Sequence, residues 1–326
     1  MKTVCVYHSI DLDGWMSAAI VKHWFTTETL KNLLDVNMEN PNTIEFLGYN
    51  YGQPIPDLSE YDKVIMCDIA FPKEEMLKLF KRLDNRFIWI DHHVSAIKEY
   101  GKLDEFGIED ISTMFNGYRR IDFAACELTW TYFLGDQTMP EIVRLLGRYD
   151  CFGSKGTSEE LKVLHFQYAA RESISNYEEA YVALCNDLDH NITEEMIRKG
   201  IFIYNYLCTE AEQVYKNGFK VTFFETTSKE GSAIISGKVR KFICFYRERF
   251  NPINFGIDYH KDGYDGAASF YYNGHAWKFS LYNENGEVDC SVLAKQYDEN
   301  GGGHRGAAGF MLNNEKFLKF ILANEQ

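Results

Sequence analysis

The first ninety residues alternate short apolar runs with segments of helical period, and few architectures satisfy that pattern. TVCVY (3–7), TIEFLGYNY (43–51), KVIMCDIA (63–70) and RFIWID (86–91) read as strands. Between them, GWMSAAIVKHWF (14–25) spaces Met16, Ala19, Ile20 and Trp24 as a helix does, and KEEMLKLFKRL (73–83) is amphipathic. Strands that are apolar on both sides belong in a parallel sheet covered on both faces.

From about residue 120 to 215 the pattern is helical in FAACELTWTYFL, EIVRLLGRY and EEMIRKGIFIYNYLCTEAEQVY, with KGTSEELKVLH (155–165) as a connection entering a helix. Beyond 218 it turns strand-rich in KVTFFETT, SAIIS, KFICFYRERF, AASFYYNGHAWKFSLYN and GAAGFML. Asn273-Gly274 signals a hairpin, and Asp289 caps a helix over SVLAKQYD (291–298). The expected fold is α/β. A mostly parallel, doubly wound sheet with helices fills 1–190, a helical linker covers 191–217, and a smaller α+β domain fills 218–326. The active-site cleft is expected between the domains.

Polar residues gather where the strands end. His8, Asp11 and Asp13 follow the first strand, Asp68 the third, and Asp91, His92 and His93 the fourth. Ligands of open parallel sheets bind beyond the carboxyl ends of the strands, so these residues are expected to converge, with Asp150 joining from a helix end. Singly, each Asp also reads as a cap or turn residue and His8 as a partnered core histidine. Together, four carboxylates would repel one another and take up protons unless cations intervened. Oxygen and nitrogen ligands without thiolate favour Mn2+, with Mg2+, Co2+ or Fe2+ as alternatives. Two such ions ~3.5–4 Å apart can share a carboxylate, activate water and clamp a phosphoryl group.

The 326 residues carry a net charge of -14 and are 45% apolar, enough for a real core. The acidity argues against long duplex nucleic acid, whose binding depends on Lys and Arg. The eight cysteines include no C-x-x-C pair and read as reduced thiols, which with no leader and no membrane-length apolar stretch gives an expected cytoplasmic location.

In GGGHRGAAGF (301–310), the glycines allow close backbone approach and can turn N–H groups on an anion, while His304 and Arg305 add charged donors. A glycine-rich loop ending a helix is the plainer alternative. Lys238, Arg240, Lys241, Arg247 and Arg249 read as a solvated strand face before a phosphate strip. Tyr271, Tyr272 and Trp277 read as sheet core and faces before a stacking surface.

HSIDLDG (8–14), MCDIA (66–70), IDHHV (90–94), GRYDCF (148–153) and GGGHRGAAGF, in that order, resemble the DHH phosphoesterase superfamily with its C-terminal associated domain. The nanoRNase, or oligoribonuclease-like, group is the most similar subgroup. The resemblance implies a metal on His8, Asp11 and Asp68, and a second on Asp13, Asp68, His92 and Asp150, bridged by Asp68. It implies His93 at the scissile phosphate, with Asp91 either orienting an imidazole or capping the next turn. It further implies Gly302, Gly303, His304 and Arg305 as substrate contacts. Where family members often carry an arginine near SLYN, this chain has Tyr282-Asn283. The activity implied is two-metal hydrolysis of short oligonucleotides to nucleoside 5′-monophosphates, with a homodimer as an expected assembly. A 3′-phosphoadenosine 5′-phosphate type phosphomonoesterase, a cyclic dinucleotide phosphodiesterase and a non-catalytic nucleotide-binding protein are the alternatives.

Overall fold

Along β1 (Lys2–His8) both sets of alternating side chains are buried, which only a sheet covered on both sides allows. The computed structural model describes residues 1–33, 42–100, 115–228 and 235–324. They fall into two units, Met1–Ile203 and Tyr204–Gln326.

The first unit continues with α1 (Leu12–Leu33), β2 (Thr43–Tyr49), β3 (Lys63–Cys67), α2 (Lys73–Leu83), β4 (Phe87–Ile90) and α3 (Val94–Tyr100). Helices α4 (Ala125–Leu134), α5 (Glu141–Asp150), α6 (Glu160–Ser173) and α7 (Tyr177–His190) follow, and α8 (Thr193–Lys216) runs through the division. The sheet is wholly parallel in the order β2-β1-β3-β4. The order reverses between β1 and β3, and a crevice forms outside the carboxyl ends of strands at such a point.

Strand periodicity assigns the layers. Val4, Val6, Val64, Met66, Phe87 and Trp89 pack with Met76, Leu79 and Leu83 of α2 on one face. Cys5, Tyr7, Ile65, Cys67, Ile88 and Ile90 pack with Ala18 and Val21 of α1 and Leu128 of α4 on the other. Met16, Ala19 and Ile20 on the far side of α1 enter a third layer with α4 to α7. Each fully buried branched side chain contributes on the order of 1.5–3 kcal/mol.

Several boundaries differ from expectation. Helix α1 runs past residue 25 because TTETLKNL contains neither Gly nor Pro. The third strand stops at Cys67, since Asp68 takes φ +60. Helix α7 was not separable by pattern. The structure defines it by Asn176, whose Oδ1 accepts the Glu179 N–H, and by Asn191 in the left-handed conformation.

In the second unit, β5 (Phe219–Ser228), β6 (Ile235–Tyr246), β7 (Gly266–Tyr272), β8 (Trp277–Tyr282), α9 (Cys290–Tyr297), β9 (Gly302–Gly303), β10 (Ala307–Leu312) and α10 (Asn314–Asn324) form a six-stranded mixed sheet, ordered β5-β6-β7-β8-β10-β9, and two helices. The first residues of SAIIS lie outside the described residues. Leu293 and Ala294 of α9 and Phe320 of α10 pack on one sheet face, and Ala211 of α8 with Phe250 and Tyr259 on the other. Asn273-Gly274 turns β7 into antiparallel β8, with Gly274 at φ +93, and Asp289 Oδ1 caps α9 through the N–H groups of Ser291 and Val292. Helix α10 was not expected.

The outer edge of β5 is covered. Thr222 N donates to Asn324 Oδ1 at 2.6 Å, Phe224 N to the Tyr297 hydroxyl at 3.0 Å and Thr226 N to Gln296 Oε1 at 3.2 Å. Arg240 corrects the expected solvated face: it is buried, pairs with Glu225 at 2.6 Å and donates to the Glu287 carbonyl. A charge there is held because both kinds of acceptor face it.

Candidate metal centre

The side chains at the strand ends of the first unit converge. Asp11 precedes α1 and its Oδ1 accepts the Gly14 N–H at 3.0 Å, so it caps the helix. Its Oδ2 meanwhile lies 2.7 Å from His8 Nδ1. Both readings of Asp11 therefore hold. Gly14 is required where it stands, since a Cβ there would lie 2.0 Å from the His8 carbonyl oxygen.

Asp13 sits in the first turn of α1 and is buried. Its two oxygens accept the N–H groups of Ala125 (2.9 Å) and Cys126 (2.7 Å) at the start of α4. Those N–H groups have no partner within their own helix, and the helix dipole favours an anion there. Asp68 is a non-glycine residue in the left-handed region, where strain of ~1–3 kcal/mol persists only if the surroundings impose it. Its N–H is tied to the Ile90 carbonyl at 2.9 Å, which turns the carboxylate from the β3 end toward β4.

Asp68 Oδ2 lies 3.4 Å from His8 Nδ1, and Oδ1 lies 3.3 Å from His92 Nε2. His92 Nε2 also lies 3.4 Å from Asp13 Oδ2 and 3.1 Å from Asp150 Oδ2. Three ligand-capable groups share Asp68: His8–Asp11–Asp68, Asp13–Asp68–His92 and Asp68–Asp91–His93.

The residues fit divalent ions. One imidazole proton cannot serve three carboxylates from three segments, whereas a cation can. An octahedral ion with bonds of about 2.1 Å sets neighbouring ligand atoms about 3 Å apart, close to the spacing of His92 Nε2 to its three oxygens. His8 Nδ1 and Asp68 Oδ1 are buried and make no aligned hydrogen bond, despite their close approaches to charged neighbours. Buried polar atoms of that kind need a partner.

The electrostatics of the ion-free cluster agree. Burial opposes charge on His8, but Asp11 and Asp68 outweigh it and raise its pKa to about 11. Burial likewise opposes charge on His93, and Asp91 and Asp68 raise its pKa to about 9. His92 is raised by Asp150 and Asp68 against burial. Burial, then Asp68, pushes Asp11 and Asp13 up, while burial of Asp68 is overcome by His8 and His92, which hold it down. Without cations, protons balance the charge.

Asp91 is fully buried and fills both roles considered for it. Its Oδ1 accepts the N–H groups of His92 (2.7 Å) and His93 (3.0 Å) and lies 2.9 Å from His93 Nδ1.

Sequence reasoning missed the support of Asp150. Glu127 of α4 is buried, accepts the Ala124 N–H and forms a two-point pair with Arg148 of α5. Gly147 admits it, since a Cβ there would lie 2.4 Å from Glu127 Cγ. The available signal was Gly147-Arg148 directly before Tyr149-Asp150. Tyr51 was also missed. It is half exposed, its ring centroid is 6.0 Å from that of His8, and its hydroxyl accepts the Ala70 N–H.

The glycine loop lies in the second unit. Gly302 and Gly303 form β9 against Gly309 and Ala308. A Cβ at Gly303, at φ +140, would lie 2.7 Å from the Ala307 carbonyl oxygen, and one at Gly301 would lie 2.7 Å from that of Ala294. Those two glycines serve close packing within the chain, while a Cβ at Gly302 would meet only Lys295, at 3.9 Å. The His304 N–H donates to the Ala307 carbonyl. Arg305 is exposed and donates to the Gly286 carbonyl at 2.9 Å.

Among solved structures, the pGpG-specific phosphodiesterase PggH from Vibrio cholerae aligns with 99% of this chain and 97% of its own at 13% identity and a TM-score of 0.46. An exopolyphosphatase-related protein from Bacteroides fragilis aligns over 99% and 90%, at 13% and 0.49. The exonuclease RecJ bound to manganese aligns over 98% and 88%, at 13% and 0.42. Such scores carry no residue-level correspondence. No curated protein matches the chain. The family described as "DHH family, N-terminal domain" matches residues 3–145, a span holding His8, Asp11, Asp13, Asp68, Asp91, His92 and His93. Residues 3–145 of the chain are thus similar to the N-terminal domain of the DHH family.

Proposed function

We propose that the protein is a two-metal phosphodiesterase of the nanoRNase type, cleaving short oligonucleotides to nucleoside 5′-monophosphates with Mn2+. The observation that carries the reading is Asp68, a buried carboxylate shared by the groups His8–Asp11–Asp68 and Asp13–Asp68–His92. His8, Asp11 and Asp68 hold one ion, and Asp13, Asp68, His92 and Asp150 the other. When bound, the ions activate water and neutralise charge on the phosphoryl group. Asp91 holds Nδ1 of His93, so proton exchange with a substrate oxygen falls to Nε2. Tyr51 offers an aromatic face beside His8, which suits a nucleobase better than a bare phosphate.

Gly302, Gly303, His304 and Arg305 are proposed as an anion-binding element of the second unit. Gly302 leaves its backbone open, and Arg305 keeps guanidinium donors beyond the one on Gly286. The net charge of -14 disfavours long duplexes.

The test is a substrate panel with Mn2+: diadenylate, 3′-phosphoadenosine 5′-phosphate and cyclic diadenylate, with products separated by chromatography. Release of AMP from diadenylate is expected. Phosphate release confined to the bisphosphate, or opening of the cyclic compound alone, would overturn the oligonucleotide assignment. No turnover of any, with retained nucleotide binding, would leave a binding protein.

A further inference from the structure

The turn Asp91–His93 hangs from β4, which is the last strand of its sheet in the order β2-β1-β3-β4. An edge strand presents a row of backbone groups that need partners on its outer side. Residues 115–120 supply them. Trp89 N donates to the Asn116 carbonyl at 2.8 Å, Asp91 N donates to the Tyr118 carbonyl at 3.1 Å, and Arg120 N donates back to the Asp91 carbonyl at 3.2 Å. Two isolated parallel bridges result, Ile88 with Asn116 and Asp91 with Arg119. The segment is a strap along the outer edge of β4, and it ends on the backbone of Asp91.

Between the two bridges the ladder is interrupted. Gly117 stands there at φ +107, and a Cβ on it would lie 2.1 Å from the Trp89 carbonyl oxygen. That carbonyl accepts from a side chain, Arg119 Nη1, at 2.8 Å. The same guanidinium donates to the strap's own carbonyls, through Nη1 to Asn116 at 3.2 Å and through Nη2 to Phe115 at 2.7 Å. It also lies 5.5 Å from the ring centroid of the buried Trp89, against which the Phe115 ring packs at 5.7 Å. Only a planar fork of donors can join three carbonyls of two segments in this way. Arg119 therefore clamps the strap to β4 across the gap.

The clamp bears on the metal centre through one residue. Asp91 Oδ1 accepts the N–H groups of His92 and His93 and faces His93 Nδ1. A backbone that drifts at Asp91 takes that oxygen with it, and both histidines follow. On the β3 side the end of β4 is held by Asp68 N on the Ile90 carbonyl. On the outer side it is held by the strap.

We infer that Arg119 is a positioning residue, which closes the gap between strap and β4 and so sets the Asp91 turn that carries His92 and His93. The inference rests on the proposed metal centre, but its test does not require turnover.

Full-length wild type, Arg119→Met, Arg119→Lys and Asn324→Ala would be titrated with Mn2+ by calorimetry, each well below its melting temperature. Arg119→Met keeps an apolar stem over Trp89 and removes every donor, while Arg119→Lys keeps the charge without the fork. Asn324→Ala loses stability in the second unit and controls for stability alone. Arg119→Met is expected to bind Mn2+ about 10-fold more weakly, as when the support of a metal ligand is lost. Arg119→Lys is expected to recover part of the affinity, and Asn324→Ala to match wild type. Where a substrate is turned over at saturating Mn2+, the loss in Arg119→Met should fall on kcat, with KM within about threefold. Wild-type Mn2+ affinity in Arg119→Met, or the same loss in Asn324→Ala, overturns the positioning role and leaves Arg119 a contributor to stability. If no oligonucleotide is cleaved yet Mn2+ affinity tracks Arg119, the phosphodiesterase reading fails and the positioning role stands. A wild type that binds no Mn2+ overturns both.

Discussion

Asp91 Oδ1 lies 2.9 Å from His93 Nδ1 while accepting the backbone N–H groups of His92 and His93. One oxygen thus shapes the turn that carries both histidines and sets the orientation of the second. Asp91→Asn keeps an oxygen acceptor for the N–H groups and loses the charge facing the imidazole. We expect kcat/KM to fall ~10–100-fold with a nearly unchanged melting temperature. Asp91→Ala should in addition destabilise the fold by about 1–3 kcal/mol, because buried N–H groups lose their acceptor. Steady-state kinetics with thermal melts separate the two, and full activity in Asp91→Asn would refute the orienting role.

The ion-free protein should lose stability as pH rises. The pKa values of His8 and His93 are raised to about 11 and about 9, above the ordinary imidazole value of 6.5. Their contribution is complete below about pH 6.5 and lost as pH climbs through the folded values. The raised pKa values of Asp11 and Asp13 act with the same sign, from above the ordinary carboxylate value. Melting temperature in chelator should drop between pH 7 and 9.5. Mn2+ at ~100 times its dissociation constant should add about 2.7 kcal/mol. Ion binding at pH 7 should release protons, read by calorimetry in buffers of different ionisation enthalpy. A chelated melt independent of pH would count against the cluster.

Gly147→Ala should be destabilising although alanine is the better helix former by ~1 kcal/mol. The added methyl meets Glu127, which cannot move aside while Arg148 and the Ala124 N–H hold its carboxylate. A net loss on the order of 1–2 kcal/mol is expected from overpacking. Manganese affinity should weaken as well, because Asp150 lies three residues on in the same helix. Chemical denaturation and calorimetry read the two effects, and an alanine variant as stable as wild type would show the contact to be soft.

The covered edge of β5 predicts a solubility effect. Asn324→Ala removes the acceptor that serves both the N–H and the hydroxyl of Thr222. A stability loss of about 1 kcal/mol is expected. Concentration-dependent self-association should also increase, since unpaired edge N–H groups template strand pairing. Light scattering across a concentration series checks this, and a monodisperse variant would show that the cap is dispensable.

Much of the first unit was legible along the chain. The apolar strands, their parallel order and the carboxylates and imidazoles at their ends follow from periodicity and from where runs stop. Those signals are local, so no long-range information is needed to read them. The amphipathic run KEEMLKLFKRL became α2 at its expected limits, Lys73–Leu83, for the same reason.

What the tertiary structure decided depends on residues distant in sequence. Asp13 meets the start of α4 across 112 and 113 positions, and Arg148 meets Glu127 across 21. The left-handed turn at Asp68 is imposed by β4 through the Ile90 carbonyl, not by any preference of aspartate. Tyr51 gains meaning only from what lies beside it. By itself, the sequence determined which chemical groups are present and at which strand ends they stand. Folding determined their spacing and protonation, because those depend on the burial and charge that distant segments bring together.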